Sequence, residues 1–292
     1  MPIDAEKLLN FEIPRVRQKV TPRDAAFYAL SVGMGHDDAH RAQQSFIDPL
    51  AGPLPMPSMT LVMAHPGFWL GHPDSGVDPV AVLHGRQSIA ITGALPVDAE
   101  VESETRITGL IDKGPGKAAL ILTETQISDA TGLPFARLDR TTFIRGGGGF
   151  GGSDAPISPA PPTLQGEPAL SIDLATRREQ ALLYRLNGDL NPLHSDPDIA
   201  ARAGFERPIL HGLCTMGFIL HAILRGCLDY RPDRLRSVSL RFAAPVLPGE
   251  TIRTEIWNDG SFRARVVERD LIVADEGRFD AILPNSGTEA NL

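Results

Sequence analysis

Cysteine is nearly absent from this chain of 292 residues. There are two, Cys214 and Cys227. Placed on what reads as a single helix, they form neither a CxxC pair nor a disulfide framework, and a reducing, cytoplasmic compartment is expected. Long apolar runs are absent too. None reaches the roughly eighteen residues of a membrane span, and the nearest, Ile209 to Leu224, is interrupted by His211 and His221. Basic charge is outweighed: 28 Lys and Arg against 36 Asp and Glu leave a net charge of −8, which argues against nucleic acid as the main partner. The first residues, Met1 to Lys7, lack a signal-peptide core, and Glu289-Ala290-Asn291-Leu292 lacks the basic residue of a peroxisomal signal. No GxSxG elbow occurs, which makes a serine hydrolase unexpected. Gly146 to Gly151 fits GxGxxG only formally, since Ser153-Asp154-Ala155-Pro156 follows with no helix. His36, His40, His65 and His72 are scattered without metal-ligand spacing, so neither metal nor dinucleotide is expected. What remains, 42% hydrophobic and 22% charged, is ordinary globular composition with length for one large domain or two average ones.

Glycine and proline divide the chain. Gly146 to Gly152 followed by the proline-rich 153–162 reads as a linker, giving units at 1–150 and 166–292 with the linker at 151–165. The halves echo each other. Thr21-Pro22-Arg23-Asp24 and Thr176-Arg177-Arg178-Glu179 both read as capping boxes that start helices, ended by Gly33 and Gly188. Leu83-His84-Gly85 recurs as Leu210-His211-Gly212, and Leu95-Pro96 as Leu247-Pro248, each ahead of a strand-like run. Landmarks in one order suggest an internal duplication. His84 and His211 are then equivalent, and both are expected to be structural rather than catalytic. The interval from Leu-His-Gly to Leu-Pro is much longer in the second half, and the excess includes Leu213 to Leu228, apolar nearly all round and expected to be a buried helix. The first half should lack that helix and leave space for other residues or a ligand. Strands are expected over 81–91, 102–111, 118–128, 134–144, 235–242, 251–257, 262–268 and 271–282, which makes the fold α+β.

The most informative stretch is Asn187-Gly188-Asp189-Leu190-Asn191-Pro192-Leu193-His194. It sets a carboxylate, a carboxamide and an imidazole on one short loop, pinned by a helix before it and by a second that Asp196-Pro197 begins and Gly204 ends. One reading is a site that activates water, with His194 as proton shuttle. The other is a turn closed by Asx side chains on their own backbone.

Tyr184 to His194 and Arg207-Pro208-Ile209-Leu210-His211-Gly212-Leu213-Cys214-Thr215 resemble the signature of MaoC-like, R-specific enoyl-CoA hydratases (hydratase type 2). Tyr28-Ala29-Leu30-Ser31-Val32-Gly33, Leu83-His84-Gly85-Arg86-Gln87 and Asp112-Lys113-Gly114 resemble the same family. Asn187 departs from the pattern, which usually has a small residue there. The resemblance covers nearly the whole chain. It implies a double hot-dog fold, two antiparallel sheets with the central helix complete only in the C-terminal half and the N-terminal half accommodating the acyl group. It implies reversible hydration of trans-2-enoyl-CoA to (3R)-3-hydroxyacyl-CoA without metal or redox cofactor. Asp189 and His194 would handle one water, Asn191 would orient it, and the Gly212 N–H would hold the enolate oxygen. Arg202, Arg207 and His211 are the expected substrate-binding residues, an acyl-CoA thioester the partner, and a homodimer the expected assembly. A thioesterase attacking C1, or a silent acyl-CoA-binding subunit, are the alternatives.

Overall fold

The computed structural model describes residues 2–36, 41–152 and 164–282. Its elements in the first half are α1 (Ala5–Leu9), β1 (Val16–Val20), α2 (Pro22–Ser31), α3 (Gln44–Ile47), β2 (Val82–Ile91), β3 (Ala99–Asp112), β4 (Ala119–Asp129) and β5 (Pro134–Ile144). The second half contributes β6 (Leu170–Ala175), α4 (Gln180–Tyr184), α5 (Pro197–Arg202), α6 (Gly212–Cys227), β7 (Leu235–Phe242), β8 (Thr251–Ile256), β9 (Ser261–Val266) and β10 (Leu271–Ala281). Most of the expected linker and all of Glu289–Leu292 lie outside the described residues.

The ten strands of the described residues join one sheet, in the order β1-β3-β4-β5-β2-β7-β10-β9-β8-β6. Read inward from either edge, the order is the same once β1 is matched with β6, β3 with β8, β4 with β9, β5 with β10 and β2 with β7. The duplication is therefore written into the topology. The two expected sheets are fused where β2 pairs antiparallel with β7, Ser88 opposite Ser239. This seam also sets Arg86 opposite Arg241, a pairing of like charges that disfavours the register. Glu276 offsets it by accepting from both guanidinium groups, at 3.0 Å from Arg241 Nε.

The sheet wraps α6, which starts one residue earlier than expected and is buried along most of its length, from Leu213 to Leu224. Each large side chain withdrawn there contributes about 1.5–3 kcal/mol. Small residues let the helix approach its neighbours. A Cβ on Gly217 would lie 2.4 Å from Val32 Cγ1, and one on Gly226 2.3 Å from Leu170 Cδ2. The one long helix thus serves both halves. In the corresponding place of the first half, between α2 and β2, the described residues hold α3 and single 3₁₀ turns, among them the buried Pro57–Leu61.

Three expectations need correction. Leu83-His84-Gly85 is not the counterpart of Leu210-His211-Gly212. The first lies in β2, where Gly85 forms a β-bulge between the pairs His84–Thr142 and Arg86–Thr141, and a Cβ there would sit 3.0 Å from the Thr141 carbonyl oxygen. The second begins a helix. The spacing argument thus used a false landmark, although the conclusion about the helix stands. The Thr21–Asp24 capping box forms, but Thr176–Glu179 does not. Thr176 instead donates to the Glu250 carbonyl and accepts from Gly249, tying the start of the second unit to β8. Finally, β1 and β6 were not anticipated. They are edge strands of five and six residues, paired on one side only; their residues alternate, but over too short a run to stand out.

Candidate active site

The loop from Gly188 to His194 crosses the start of α6. Gly188, at φ +114°, ends the helical turn of Arg185–Asn187 in a conformation that favours glycine. Asn187, the residue that departs from the family pattern, donates to Ser31 Oγ at 2.9 Å and to the Tyr184 carbonyl at 2.9 Å, anchoring the loop to α2 of the first half. Beyond the loop, Asp196 caps α5 by accepting from Asp198 and Ile199 N–H groups.

The turn reading of the loop is realised, and it leaves polar atoms over. Asp189 Oδ1 accepts from Asn191 N at 3.3 Å and Asn191 Oδ1 from Leu193 N at 3.0 Å, which are Asx turns. Each side chain spends one atom on the turn and keeps the other, Asp189 Oδ2 and Asn191 Nδ2, for a cavity of about 410 Å³ that both residues line.

His194 lines the same cavity and is 8% exposed. Its Nδ1 lies 2.9 Å from the Ile209 carbonyl oxygen, which can only accept, so Nδ1 carries the proton and Nε2 holds the lone pair. Burial pushes the imidazole below its ordinary value, against the pull of Asp189 and Ile209, so it is neutral near pH 7. Burial opposes ionisation of Asp189, but the neighbouring His211, His194 and His65 and the Asn191 N–H outweigh it, and the carboxyl lies below its usual range. The site therefore pairs a carboxylate with a neutral imidazole base.

His211 is not part of the cavity wall. It is 1% exposed and stacks on His194 with ring centroids 3.8 Å apart. Its Nε2 donates to the Asp189 carbonyl at 3.2 Å, and its other face meets Tyr184. Burial and His194 depress it to about 3, so it stays neutral and braces Asp189 and His194. Arg202 and Arg207 are exposed and outside the cavity wall. The arginines that line it are Arg140 and Arg145 of β5 and its end.

Gly212 and Leu213 also line the cavity. They open α6, whose first bond of this turn runs from Thr215 N to the His211 carbonyl at 3.0 Å, and among the described residues no side chain caps the helix. The first N–H groups are thus left for a ligand, at the positive end of a sixteen-residue helix dipole. This is where charge on a thioester oxygen could be held.

The first half lines the cavity with the apolar Phe68, Trp69, Leu70, Val82 and Leu83 and with polar groups that sequence reasoning missed: His65, His84, Arg140 and Thr142. His65 lies in irregular chain with no periodicity to flag it. Arg140 had a signal: it shares strand parity with the buried Ala136, Leu138, Thr142 and Ile144, an inward position for a charge. Among the described residues no group of three or more His, Cys, Asp or Glu is placed to hold a metal ion. No helix there is long and apolar enough to cross a membrane.

Comparison with known proteins agrees with this architecture. Residues 160–276 match the MaoC like domain, and residues 19–146 the MFE-2 hydratase 2 N-terminal domain. The chain is 38% identical to the peroxisomal enoyl-CoA hydratase 2 of Arabidopsis thaliana over 92% of its own length and 93% of that protein. The crystal structure of a MaoC-like dehydratase from Phytophthora capsici superposes with a TM-score of 0.82 at 30% identity, covering 98% of this chain and all of that one. Full-length peroxisomal multifunctional enzyme type 2 from Drosophila melanogaster gives 0.76 at 31% identity, covering 92% of this chain and 48% of the larger one. The chain belongs to the MaoC-like hydratase 2 family of double hot-dog proteins.

Proposed function

We propose that the protein reversibly hydrates trans-2-enoyl-CoA thioesters to (3R)-3-hydroxyacyl-CoA. The observation that carries this is the convergence of three free groups on one cavity: Asp189 Oδ2, His194 Nε2 and the uncapped start of α6 at Gly212. The thioester carbonyl lies against the Gly212 N–H, with C3 facing the loop. A water is held between Asp189 and His194 and oriented by the Asn191 amide. His194 Nε2 takes one proton from the water as the oxygen bonds to C3. The C2–C3 π electrons move toward the carbonyl, and the enolate oxygen is held at the helix start. The imidazolium, stabilised by Asp189, returns the same proton to C2. One water thus adds across the double bond from one face, and the base is regenerated.

No metal or redox group takes part in these steps, and turnover that survives prolonged chelation is the expected result. The assembly is proposed to be a homodimer, to be checked by light scattering; Cys214 and Cys227 are both unpaired. Asp189→Asn keeps the Oδ1 turn and removes the charge; His194→Gln removes the base. Each should lower kcat by about 10²–10⁴ while far-ultraviolet circular dichroism is unchanged. Wild-type-like turnover of a trans-2-enoyl-CoA in either variant contradicts the assignment.

A further inference from the structure

The wall that the first half gives the cavity is mixed: beside the apolar Phe68, Trp69, Leu70, Val82 and Leu83 stand the polar His65, His84, Arg140 and Thr142. Arg140 Nε donates to Gln87 Oε1 at 3.2 Å. Gln87 is itself fixed, since its Nε2 donates to the Ser88 and Asp139 carbonyls at 2.9 and 3.2 Å. Its oxygen also accepts from His84 Nε2 at 3.0 Å, so that ring spends its donor there. Among the described residues nothing accepts from Arg140 Nη1 or Nη2, and no carboxylate lies within ion-pair distance. The nearest negative field is that of Asp189, which the reaction occupies.

His65 points to the same ligand. Its Nδ1 accepts from Gly67 N at 3.1 Å, so the neutral ring carries its proton on Nε2, a donor left without a partner among the described residues. Burial and the charge of Arg140 push His65 to about 4, which keeps it in that neutral form. Arg140 and His65 also line a small pocket of about 30 Å³, together with Thr105, Thr123 and Thr125 and the apolar Leu61, Met63, Trp69 and Leu138; the Thr105 and Thr125 hydroxyls bond each other at 2.8 Å. Among the described residues, Arg140 Nη1 and Nη2 and His65 Nε2 are donors without a partner, and no carboxylate pairs with Arg140. An alkyl tail laid over an unanswered guanidinium deepens its desolvation penalty, whereas a carboxylate answers it with two charge-assisted bonds.

We propose that Arg140 and His65 form a subsite for a carboxylate carried at the far end of the substrate's acyl group, so that the preferred substrate is an ω-carboxyacyl thioester. This specificity rests on the hydratase reading above, but binding can be read without turnover. Saturated adipoyl-, suberoyl- and sebacoyl-CoA do not react and are titrated calorimetrically against their neutral isosteres 6-methylheptanoyl-, 8-methylnonanoyl- and 10-methylundecanoyl-CoA. At one length or more the wild type should bind the carboxylate at least about tenfold more tightly, the span of a charge-assisted pair. Arg140→Met should abolish the ratio and Arg140→Lys should keep part of it. Tighter binding of the neutral isostere at every length overturns the proposal, and needs no variant. So does a ratio unchanged in Arg140→Met, the result expected if Arg140 held a coenzyme A phosphate or only positioned Asp189. Preference for the carboxylate together with no hydration of any trans-2-enoyl thioester would leave the subsite standing and remove the hydratase reading. Hydration without preference would do the reverse.

Discussion

Replacing Gly212 with proline removes one hydrogen-bond donor and disturbs little else. Gly212 is the first residue of α6, where the N–H has no intrahelical acceptor and proline is well tolerated. His211, at φ −59° and ψ 135°, already has the extended backbone that proline requires of its predecessor. A Cβ at position 212 would lie 3.4 Å from the Phe242 ring, an ordinary contact. The helix should therefore persist, with little change in Tm. If that N–H holds the enolate oxygen, its loss should lower kcat by about 10²–10³, or ~2.7–4 kcal/mol of transition-state stabilisation. KM should change much less, because the charge it answers appears only in the transition state. Gly212→Ala is the control, adding the same Cβ while retaining the N–H. The assay follows loss of the ultraviolet absorbance of the conjugated enoyl thioester. If Gly212→Pro turns over as fast as Gly212→Ala, the oxyanion role of this position is refuted.

Further outcomes follow from the same geometry. His65 and His211 are depressed to about 4 and about 3 from an ordinary 6.5, so the unfolded chain binds more protons between those values. Stability should be complete above pH 6.5 and fall with acidification, by up to about 1.4 kcal/mol per pH unit for each ring; equal urea midpoints at pH 7 and pH 5 would contradict this. Gly217→Ala should force α6 away from Val32 and destabilise by about 1–3 kcal/mol, read as a lowered Tm. Asp189→Asn combined with His194→Gln should cost about as much in kcat as the worse single change, because the two act on one water; multiplicative losses would show independent roles.

The reactive loop was legible because its residues are consecutive and Gly188 and Pro192 mark its ends. The long helix was legible because it is apolar all round. What the chain hid is what folding brings together from afar. Arg140 meets Gln87 and His65 only after β5 pairs with β2, and neither contact leaves a local spacing. The Leu-His-Gly repeat shows the converse. Identical tripeptides serve a β-bulge at Gly85 and a helix start at Gly212, since glycine answers both a close backbone approach and an open helix end. Arg202 and Arg207 drew attention through sequence proximity to the loop, yet their segment turns them to solvent. The strand that supplies the cavity's arginines belongs to the other half.

The central claim is that one water, held by Asp189 and His194 on a single loop, adds from a single face. Hydration of a trans-2-enoyl-CoA in deuterium oxide tests this directly, with the product's configuration assigned at C3 and C2. The account predicts a (3R)-hydroxyl with deuterium at C2 on the same face. A (3S) product, or deuterium on the opposite face, would contradict it.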